Sequence, residues 1–379
     1  MERIKKLVEI ADNHTAYARK LKETTGKQVI GYMCSYAPEE IIHAAGVHPL
    51  RLFGSGRNIL LADSHLQSYC CSLARGVLED ALSGNLNYLA GMIFPHTCDT
   101  IQRLSDIWRL NVPDGFHLDI VLPVKLDTPS AGQYMIDVLN RFRNDLEKAL
   151  QTKISDDDLR KSIVLYNKIR SSLKKVYELK SSNPELLSGR EIHTLVKAAM
   201  IMDRESYLDI LQSIIGELPE AAVASDNKDR KKRLLLSGGI CSQPDIYSLV
   251  EDAGADIVGD DLCTGSRYFS GQISQDNDPI TAIAEGYRQR IVCPAKHSNE
   301  HGHDRAENLV RLAKERGADG IIFMLLKFCD PHAFDYPYLK EALNRQGLPG
   351  LLLEVEDQPQ AQGQMKTRIE AFLETLKIL

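Results

Sequence analysis

The sequence predicts an α/β protein made of two similar Rossmann- or flavodoxin-like domains with parallel sheets, joined by a helical connector. The clearest observation is Gly320–Leu326, an unbroken apolar run of strand length that is typical of a central parallel strand covered on both faces. Cys329 follows it in a polar turn. Other strand-length segments in both halves lead in the same way into loops with a cysteine. Ligands bind beyond the carboxyl ends of such strands, so these loops are the predicted site.

Length and composition fit a soluble globular protein of two or three domains. The chain has 379 residues, 43% of them hydrophobic and 26% charged, as in ordinary folded proteins. The net charge is -6 and the only basic run, which ends at Arg233, is short, so nucleic-acid binding is not expected. No segment approaches the roughly 20 apolar residues of a membrane helix, and the N-terminus does not resemble a signal peptide. We expect a cytoplasmic protein.

The N-terminal α/β domain is predicted to span residues 1–150 and to begin with a helical arm that stops at Gly26. Pro38 opens a helix, and Glu39 and Glu40 favour its first turn. A helix over 63–82 is predicted to carry Cys70 and Cys71, which would point about 100° apart. The predicted strands are 29–33, 49–53, 88–94 and 119–122, and the other helices are 99–109 and 134–150.

Residues 151–230 are predicted to form the connector, because no strand pattern occurs between 155 and 218. Ser155 and the three aspartates after it suit a helix start. Residues 231–379 then return to an alternating pattern and form the C-terminal α/β domain. Its predicted strands are 234–236, 256–258, 320–326 and 350–355, and its helices are 244–253, 279–290, 304–316, 338–346 and 365–379.

The eight cysteines are the main candidates for chemistry. Disulfides are not expected in a cytosolic chain, and the absence of any C-x-x-C pair argues against zinc ribbons, thioredoxin-type pairs and two-cluster ferredoxins. A single cysteine is often a buried small hydrophobe. Burial is a poor explanation for cysteines in polar or Pro/Gly-containing loops, and thiolate sets select iron-sulfur, zinc or copper(I). We favour an iron-sulfur cluster over structural zinc. The loop cysteines are Cys34, Cys98, Cys263, Cys293 and Cys329.

Other motifs are weaker. His297, His301 and His303 form H-x-x-x-H-x-H, which suits a metal, although a solvated loop is the favoured interpretation. The Gly-rich segments at 53–56 and 237–239 match neither a P-loop nor a dinucleotide fingerprint, so nucleotide binding is disfavoured. The chain has no G-x-S-x-G elbow and no H-E-x-x-H helix.

Four cysteine-centred segments and two C-terminal ones are distinctive: GYMCSYAPEEIIHAAGVHPLRLFGSG, FPHTCDTIQRLSDIWR, DDLCTGSRYF, GIIFMLLKFCDPHAFDYPYLKEAL, GLPGLLLEVE and GQMKTRIEAFLE. They resemble the 2-hydroxyacyl-CoA dehydratase and benzoyl-CoA reductase family, and the likeness runs along nearly the whole chain. The resemblance implies two similar α/β domains with an iron-sulfur cluster held between them by loop cysteines. It also implies an oxygen-sensitive partner ATPase, with its own [4Fe-4S] cluster, that delivers low-potential electrons.

The family's three-cysteine pattern for a [4Fe-4S] cluster maps onto Cys34, Cys98 and Cys329. A further set resembles the double-cubane branch of the family, in which six thiolates hold an [8Fe-9S] cluster in a homodimer. Cys241 is then not a ligand, nor is Cys70 unless it exchanges roles with Cys71. The additional set is Cys71, Cys263 and Cys293.

Residues beside the expected ligands are candidates for supporting roles. Ser35 and Thr97 could donate hydrogen bonds to cluster sulfur, and we include Ser35 among the catalytic candidates. His96, Lys296 and His332 could transfer protons to a reduced substrate. The expected function is an iron-sulfur oxidoreductase that takes electrons from the ATP-dependent partner and reduces a small molecule. The alternatives are a [4Fe-4S] 2-hydroxyacyl-CoA dehydratase subunit, which is a lyase, and a non-enzymatic cluster carrier without a substrate cleft.

Overall fold

A computed structural model describes residues 2–54, 56, 58–218, 230–240, 245–298, 304–356 and 362–376. Two four-stranded parallel sheets lie within these ranges, which confirms the predicted fold class of two α/β domains. None of the helices in the described ranges combines the length and the apolar character needed to cross a membrane.

The N-terminal sheet has the strand order β2-β1-β3-β4. All four residues of β1 are buried, as expected for a strand covered on both faces. The strands are β1 (Val29–Tyr32), β2 (His48–Arg51), β3 (Leu89–Pro95) and β4 (Phe116–Ile120), and the associated helices are α3 (Glu39–Ala44), α4 (Ser72–Leu82), α5 (Asp99–Asn111) and α6 (Pro129–Leu150).

The C-terminal sheet has the order β6-β5-β7-β8. In both sheets, the first strand in the chain therefore lies between the second and the third, and the fourth lies at the edge beside the third. The two halves therefore share one plan, as predicted. The strands are β5 (Lys232–Gly238), β6 (Ala255–Asp261), β7 (Gly320–Leu326) and β8 (Gly350–Val355), and the helices are α10 (Ile246–Asp252), α11 (Pro279–Arg288), α12 (Arg305–Glu315), α13 (Asp330–Arg345) and α14 (Gln362–Thr375).

The N-terminal arm and the connector, which joins the two sheets along the chain, consist of helices. The arm is broken at Asn13, whose side chain caps the second arm helix, and it ends at the left-handed Gly26. Ser155 and Ser188 each form a capping box at the start of a connector helix. The arm helices are α1 (Glu2–Asp12) and α2 (His14–Thr25), and the connector helices are α7 (Asp156–Ser182), α8 (Gly189–Ile201) and α9 (Arg204–Glu217).

The segment between β6 and α12 leaves the C-terminal sheet and packs on the N-terminal half. Ile273, Ile283 and Val292 share a buried core with Ile30 and Met135. Farther along, a parallel bridge pairs residue 125 with residue 297. The segment that carries Cys263 and Cys293 is therefore held against the other domain.

Two sequence predictions about local structure are wrong. The expected helix over 63–82 is only a 3₁₀ turn at Ala62–Ser64 followed by α4, because Cys71 adopts extended φ and ψ angles of -62° and 149° at the N-cap. The last cysteine is not followed by a long turn, since α13 begins directly at Asp330 with a proline in its first turn. Cys241, His301 and His303 lie outside the described residues.

Candidate functional site

Three cysteines occupy the N-caps of helices. Cys71 precedes α4, Cys98 precedes α5, and Cys329 precedes α13. Cys98 and Cys329 are equivalent in the two domains, because each follows the third strand of its sheet. The partial positive charge of a helix N-terminus favours an anionic group such as a thiolate.

A closed chain of neighbouring thiols runs through both domains. Burial raises the pKa of the Cys98 thiol to about 12, and the nearby Cys34 and Cys329 sulfurs contribute to the increase. Burial likewise raises the pKa of Cys329 to about 12, with further contributions from Cys71 and Cys263. These electrostatic interactions join cysteines that follow β1, β3 and β7.

Cys263 and Cys293 form a hydrogen-bonded pair that completes this chain. The hydrogen bond from Cys293 lowers the pKa of Cys263 well below the ordinary thiol value, and the same bond raises the pKa of Cys293. Arg267 supports the charged form of Cys263, since its Nη2 donates to Cys263 Sγ at 3.2 Å. Cys293 in turn lies near Cys34. Five of the six cysteines that the sequence singled out therefore form a closed ring of interacting thiols, and Cys71 joins this ring at Cys329.

A buried carboxylate fixes the loop that carries Cys263. Asp260 Oδ1 accepts hydrogen bonds from the backbone N–H groups of Leu262 and Ser266, at 3.2 and 2.7 Å. A Cβ on Gly265 would lie 1.9 Å from the same oxygen, so the loop requires glycine there. The Cys263 N–H also donates to the carbonyl of Gly239 at 3.0 Å. These bonds hold the cysteine at the end of its own sheet.

Cys70 and Cys71 have different surroundings. Cys71 lines the main cavity and influences the Cys329 thiol. The pKa of Cys70 is raised by burial, and its thiol is hydrogen-bonded to the Thr100 side chain. Cys70 is absent from the described lining of the cavity. This arrangement favours Cys71 over Cys70 as a ligand.

The thiols are not arranged for one metal ion. Within the described ranges, no three His, Cys, Asp or Glu side chains converge on a point where a single ion would bind. A structural zinc site needs such convergence. The thiolates of a multi-iron cluster each bind a different iron and therefore lie farther apart. The described thiols therefore do not form a single-ion site of the structural zinc type.

A cavity of about 840 Å³ opens beside the cysteines. Cys71, Cys98 and Cys329 line it, and Lys296 contributes a buried ammonium group to its wall. Lys296 Nζ donates to the Leu122 carbonyl at 3.2 Å. Burial lowers the pKa of this ammonium, although the nearby Cys34 and Cys293 thiols act in the opposite direction. The cavity therefore combines thiols with a cation.

The mouth of the cavity is partly aromatic. Phe334 and Tyr338 of α13 are 84% and 73% exposed and both belong to the cavity lining. Arg305 lies deeper, where it donates to Asp261 Oδ2 and Asp335 Oδ2 at 2.9 and 2.8 Å. The cavity lining therefore includes exposed aromatic side chains as well as charged groups.

The four catalytic candidates from the sequence have different positions. Among them, only Lys296 lines the cavity. Ser35 Oγ accepts a hydrogen bond from Arg51 at 2.8 Å, and His96 Nε2 pairs with Asp119 at 2.8 Å. The His332 ring is hydrogen-bonded to the Cys263 thiol. Thr97, named as a donor to sulfur, donates to Cys34 Sγ at 3.5 Å.

Sequence reasoning missed two buried arginines at this site, Arg51 and Arg267. Arg267 lies four residues after Cys263 and donates to its sulfur. Arg51 is 1% exposed and ends β2. A charged residue between the apolar neighbours Leu50 and Leu52 was the available signal, because a buried charge needs a partner.

Fold and site together define a class, namely two-domain α/β proteins whose loop thiols gather between the sheets. A family model described as "2-hydroxyglutaryl-CoA dehydratase, D-component" matches residues 34–376. The chain belongs to this family of 2-hydroxyacyl-CoA dehydratase and benzoyl-CoA reductase subunits.

Curated relatives match over nearly their full length. The chain is 30% identical to the (R)-phenyllactyl-CoA dehydratase beta subunit of Clostridium sporogenes, over 97% of each chain. It is 29% identical to a benzoyl-CoA reductase subunit of Thauera aromatica, over 95% of this chain and 94% of the relative. It is also 29% identical to the (R)-2-hydroxyglutaryl-CoA dehydratase subunit beta of Acidaminococcus fermentans, over 93% of each. The relatives thus include both dehydratase and reductase subunits.

Proposed function

We propose that the chain is the iron-sulfur component of a low-potential reductase. Six thiolates hold a double-cubane [8Fe-9S] cluster, three for each cubane, and an ATP-dependent [4Fe-4S] partner supplies the electrons. The acceptor is a small molecule in the cavity. The observation that supports this proposal is a ring of five interacting thiols, with Cys71 joined to it at Cys329, because an ordinary [4Fe-4S] dehydratase subunit needs only three cysteine ligands. The ligands are Cys34, Cys71, Cys98, Cys263, Cys293 and Cys329.

The surrounding charges support a thiolate-bound anionic group. Arg51 and Lys296 are buried beside loops that carry cysteines. Burying cations costs free energy unless negative charge is nearby, and a thiolate cluster supplies that charge. The partial positive charge at the N-termini of the three helices that begin after cysteines also stabilises a thiolate-bound anionic group.

When bound, such a cluster would supply one-electron transfer at low potential. The residues of the chain then bind the acceptor and provide protons. Lys296 Nζ, held by the Leu122 carbonyl, is placed to bind an anionic group or donate a proton in the cavity. His332 supports Cys263 through its ring. Ser35 and His96 belong to hydrogen-bond networks behind the cysteines.

The cavity weighs against the carrier hypothesis. A protein that only stores or carries a cluster needs no space for a substrate, whereas this chain has about 840 Å³ beside its thiols. We further propose that the protein is a homodimer, which its molar mass in solution tests.

The second candidate is a 2-hydroxyacyl-CoA dehydratase subunit with one [4Fe-4S] cluster. The observation that favours it is the presence of two dehydratase beta subunits among the relatives described above. In that case Cys34, Cys98 and Cys329 suffice, and the other three thiols have no assigned role.

Two anaerobic assays separate the candidates. In the first, the reduced partner and ATP are mixed with the protein, and the change in its visible absorption is recorded. We expect the cluster of this protein to be reduced only when ATP is present. If both proteins carry intact clusters and no reduction occurs, the result contradicts the proposal. In the second, 2-hydroxyglutaryl-CoA is supplied to the same mixture. Formation of the dehydrated thioester would replace the reductase hypothesis with the dehydratase one.

A further inference from the structure

Arg51 links the loops of two cysteines from opposite halves of the chain. It is the last residue of β2 and is 1% exposed. Its Nη1 donates to Ser35 Oγ at 2.8 Å and to the carbonyl of Cys263 at 3.2 Å. Ser35 directly follows Cys34. One guanidinium therefore bridges the loop after β1 and the loop after β6.

The charge of Arg51 has no carboxylate counterpart. In the part of the chain that the structure describes, no acidic side chain forms an ion pair with it, and its Nε has no hydrogen-bond partner. The remaining contacts are Met200 Sδ at 3.4 Å and the Phe53 ring, 5.8 Å from the guanidinium carbon. An isolated buried cation is unfavourable, because no nearby negative charge offsets the loss of its hydration.

The other buried arginines in the described ranges form ion pairs with carboxylates, which makes Arg51 different. Arg170 pairs with Glu40, and Arg204 pairs with Glu39. Arg267 and Arg305 share one carboxylate, Asp261. The negative groups that the Arg51 position offers are the thiolates of the two loops that it bridges and whatever those thiolates bind.

We propose that Arg51 is a positioning residue whose fixed positive charge balances the thiolate-bound group and raises its reduction potential. The inference rests on the proposed iron-sulfur function. A nearby cation stabilises the reduced form, which carries one more negative charge, relative to the oxidised form. The bridge to Ser35 and Cys263 keeps the charge at a fixed place between the two domains.

Two substitutions separate charge from hydrogen bonding. Arg51→Gln keeps a donor but removes the charge, and Arg51→Lys keeps the charge but loses the planar fork. Arg345→Gln is the control, because Arg345 lies on the surface and pairs with Glu341. For each variant, iron per chain is measured, and the midpoint potential is determined anaerobically from the paramagnetic resonance signal of the reduced state.

We expect Arg51→Gln to disfavour reduction at least tenfold, which is about 59 mV toward negative potential for one electron. Arg51→Lys and Arg345→Gln should remain near the wild-type midpoint. A fully loaded Arg51→Gln variant with an unchanged midpoint would overturn the inference and leave the proposed function intact. An equal shift in Arg51→Lys would also overturn it, because charge would then not be the cause.

If Arg51→Gln loses iron, the iron content of Arg51→Lys shows whether the lost charge is the cause. If Arg51→Lys is loaded, the charge is required to hold an anionic group, which supports the inference. If both variants are folded by circular dichroism but lack iron, Arg51 is only a mechanical bridge and the inference is wrong. Wild-type protein without iron would overturn the proposed function itself.

Discussion

Asn167 holds both backbone groups of Ile273. Its Nδ2 donates to the Ile273 carbonyl at 2.7 Å, and its Oδ1 accepts from the Ile273 N–H at 3.0 Å. Asn167 belongs to the connector helix α7, and Ile273 lies on the segment between Cys263 and Cys293. One buried amide thus ties the segment between Cys263 and Cys293 to the connector.

We predict that Asn167→Ala destabilises the protein by about 2 to 6 kcal/mol, because two buried backbone groups lose their partners at about 1 to 3 kcal/mol each. The measurement is urea-induced unfolding of the metal-free protein. Asn140→Ala is the control, since Asn140 is exposed and bonds only within its own helix, and it should change stability by about 0.5 kcal/mol or less. Equal effects of the two substitutions would show that the Ile273 contact is not important.

The adjacent cysteines give a sharp test of the ligand set. Cys71→Ala should lose iron, because Cys71 lines the cavity with Cys98 and Cys329. Cys70→Ala should keep its iron, because the Cys70 thiol is hydrogen-bonded to Thr100 instead. Iron per chain after anaerobic purification is the measurement. The reverse result would exchange the roles of the two residues.

The same assay applies to the remaining cysteines. Alanine at each of the other five proposed ligands should lower iron content, whereas Cys241→Ala should not. Any of the five variants that retains full iron removes that residue from the ligand set. The five are Cys34, Cys98, Cys263, Cys293 and Cys329.

Glu40 is a buried acid on which two arginines depend. It is 0% exposed, pairs with Arg170, and lies 3.8 Å from Arg290 Nη2. Glu40→Gln leaves buried guanidinium groups without their counter-charge, so we predict a loss of about 3 to 5 kcal/mol in the free energy of unfolding. Chemical denaturation measures it. The exposed pair of Glu341 and Arg345 supplies the control Glu341→Gln, which should have little effect. A similarly small effect at Glu40 would contradict the prediction.

His48 makes stability depend on pH. Burial, aided by Arg204, lowers its pKa from 6.5 to about 3. Below pH 6.5, His48 is protonated in the unfolded chain but stays neutral in the folded chain. Protonation therefore stabilises the unfolded state. The contribution of His48 to stability is complete above pH 6.5 and decreases as the pH falls toward 3. Each pH unit in this window costs about 1.4 kcal/mol.

His48→Gln tests this linkage, because glutamine preserves the hydrogen bond to the Ile201 carbonyl, 2.8 Å from Nε2, but does not titrate. The free energy of unfolding is measured from pH 6.5 down to about pH 5. It should decrease less steeply with falling pH in the variant than in the wild type, and the two slopes should differ by about 1.4 kcal/mol per pH unit. His65→Gln, at an exposed position, serves as the control. Unchanged steepness in His48→Gln would mean that His48 titrates normally.

The sequence patterns predict the buried strands well. The bounds of β7 match the prediction because seven consecutive residues are apolar and lie between covering helices. Cys71 was misplaced on a helix because no glycine or proline precedes it and its side chain makes no capping hydrogen bond, so nothing local marks the start of α4. Local patterns find elements, but they miss starts that tertiary contacts determine.

Contacts between residues that are distant in sequence limit how much of the site could be predicted. Arg51 and Cys263 are 212 positions apart, and no local period relates them. For the same reason, the packing of Ile273 and Ile283 against the N-terminal half was not predicted. Strand ends with cysteines were predictable, since parallel strands bring their carboxyl ends to one edge. The charges that surround the cysteines were not.

The most direct test of the central claim is iron and acid-labile sulfide per chain in anaerobically purified protein, read together with its paramagnetic resonance spectrum. The double-cubane proposal predicts about eight irons with slightly more sulfide. About four irons would support the dehydratase subunit instead. Stoichiometric zinc without iron would contradict both proposals.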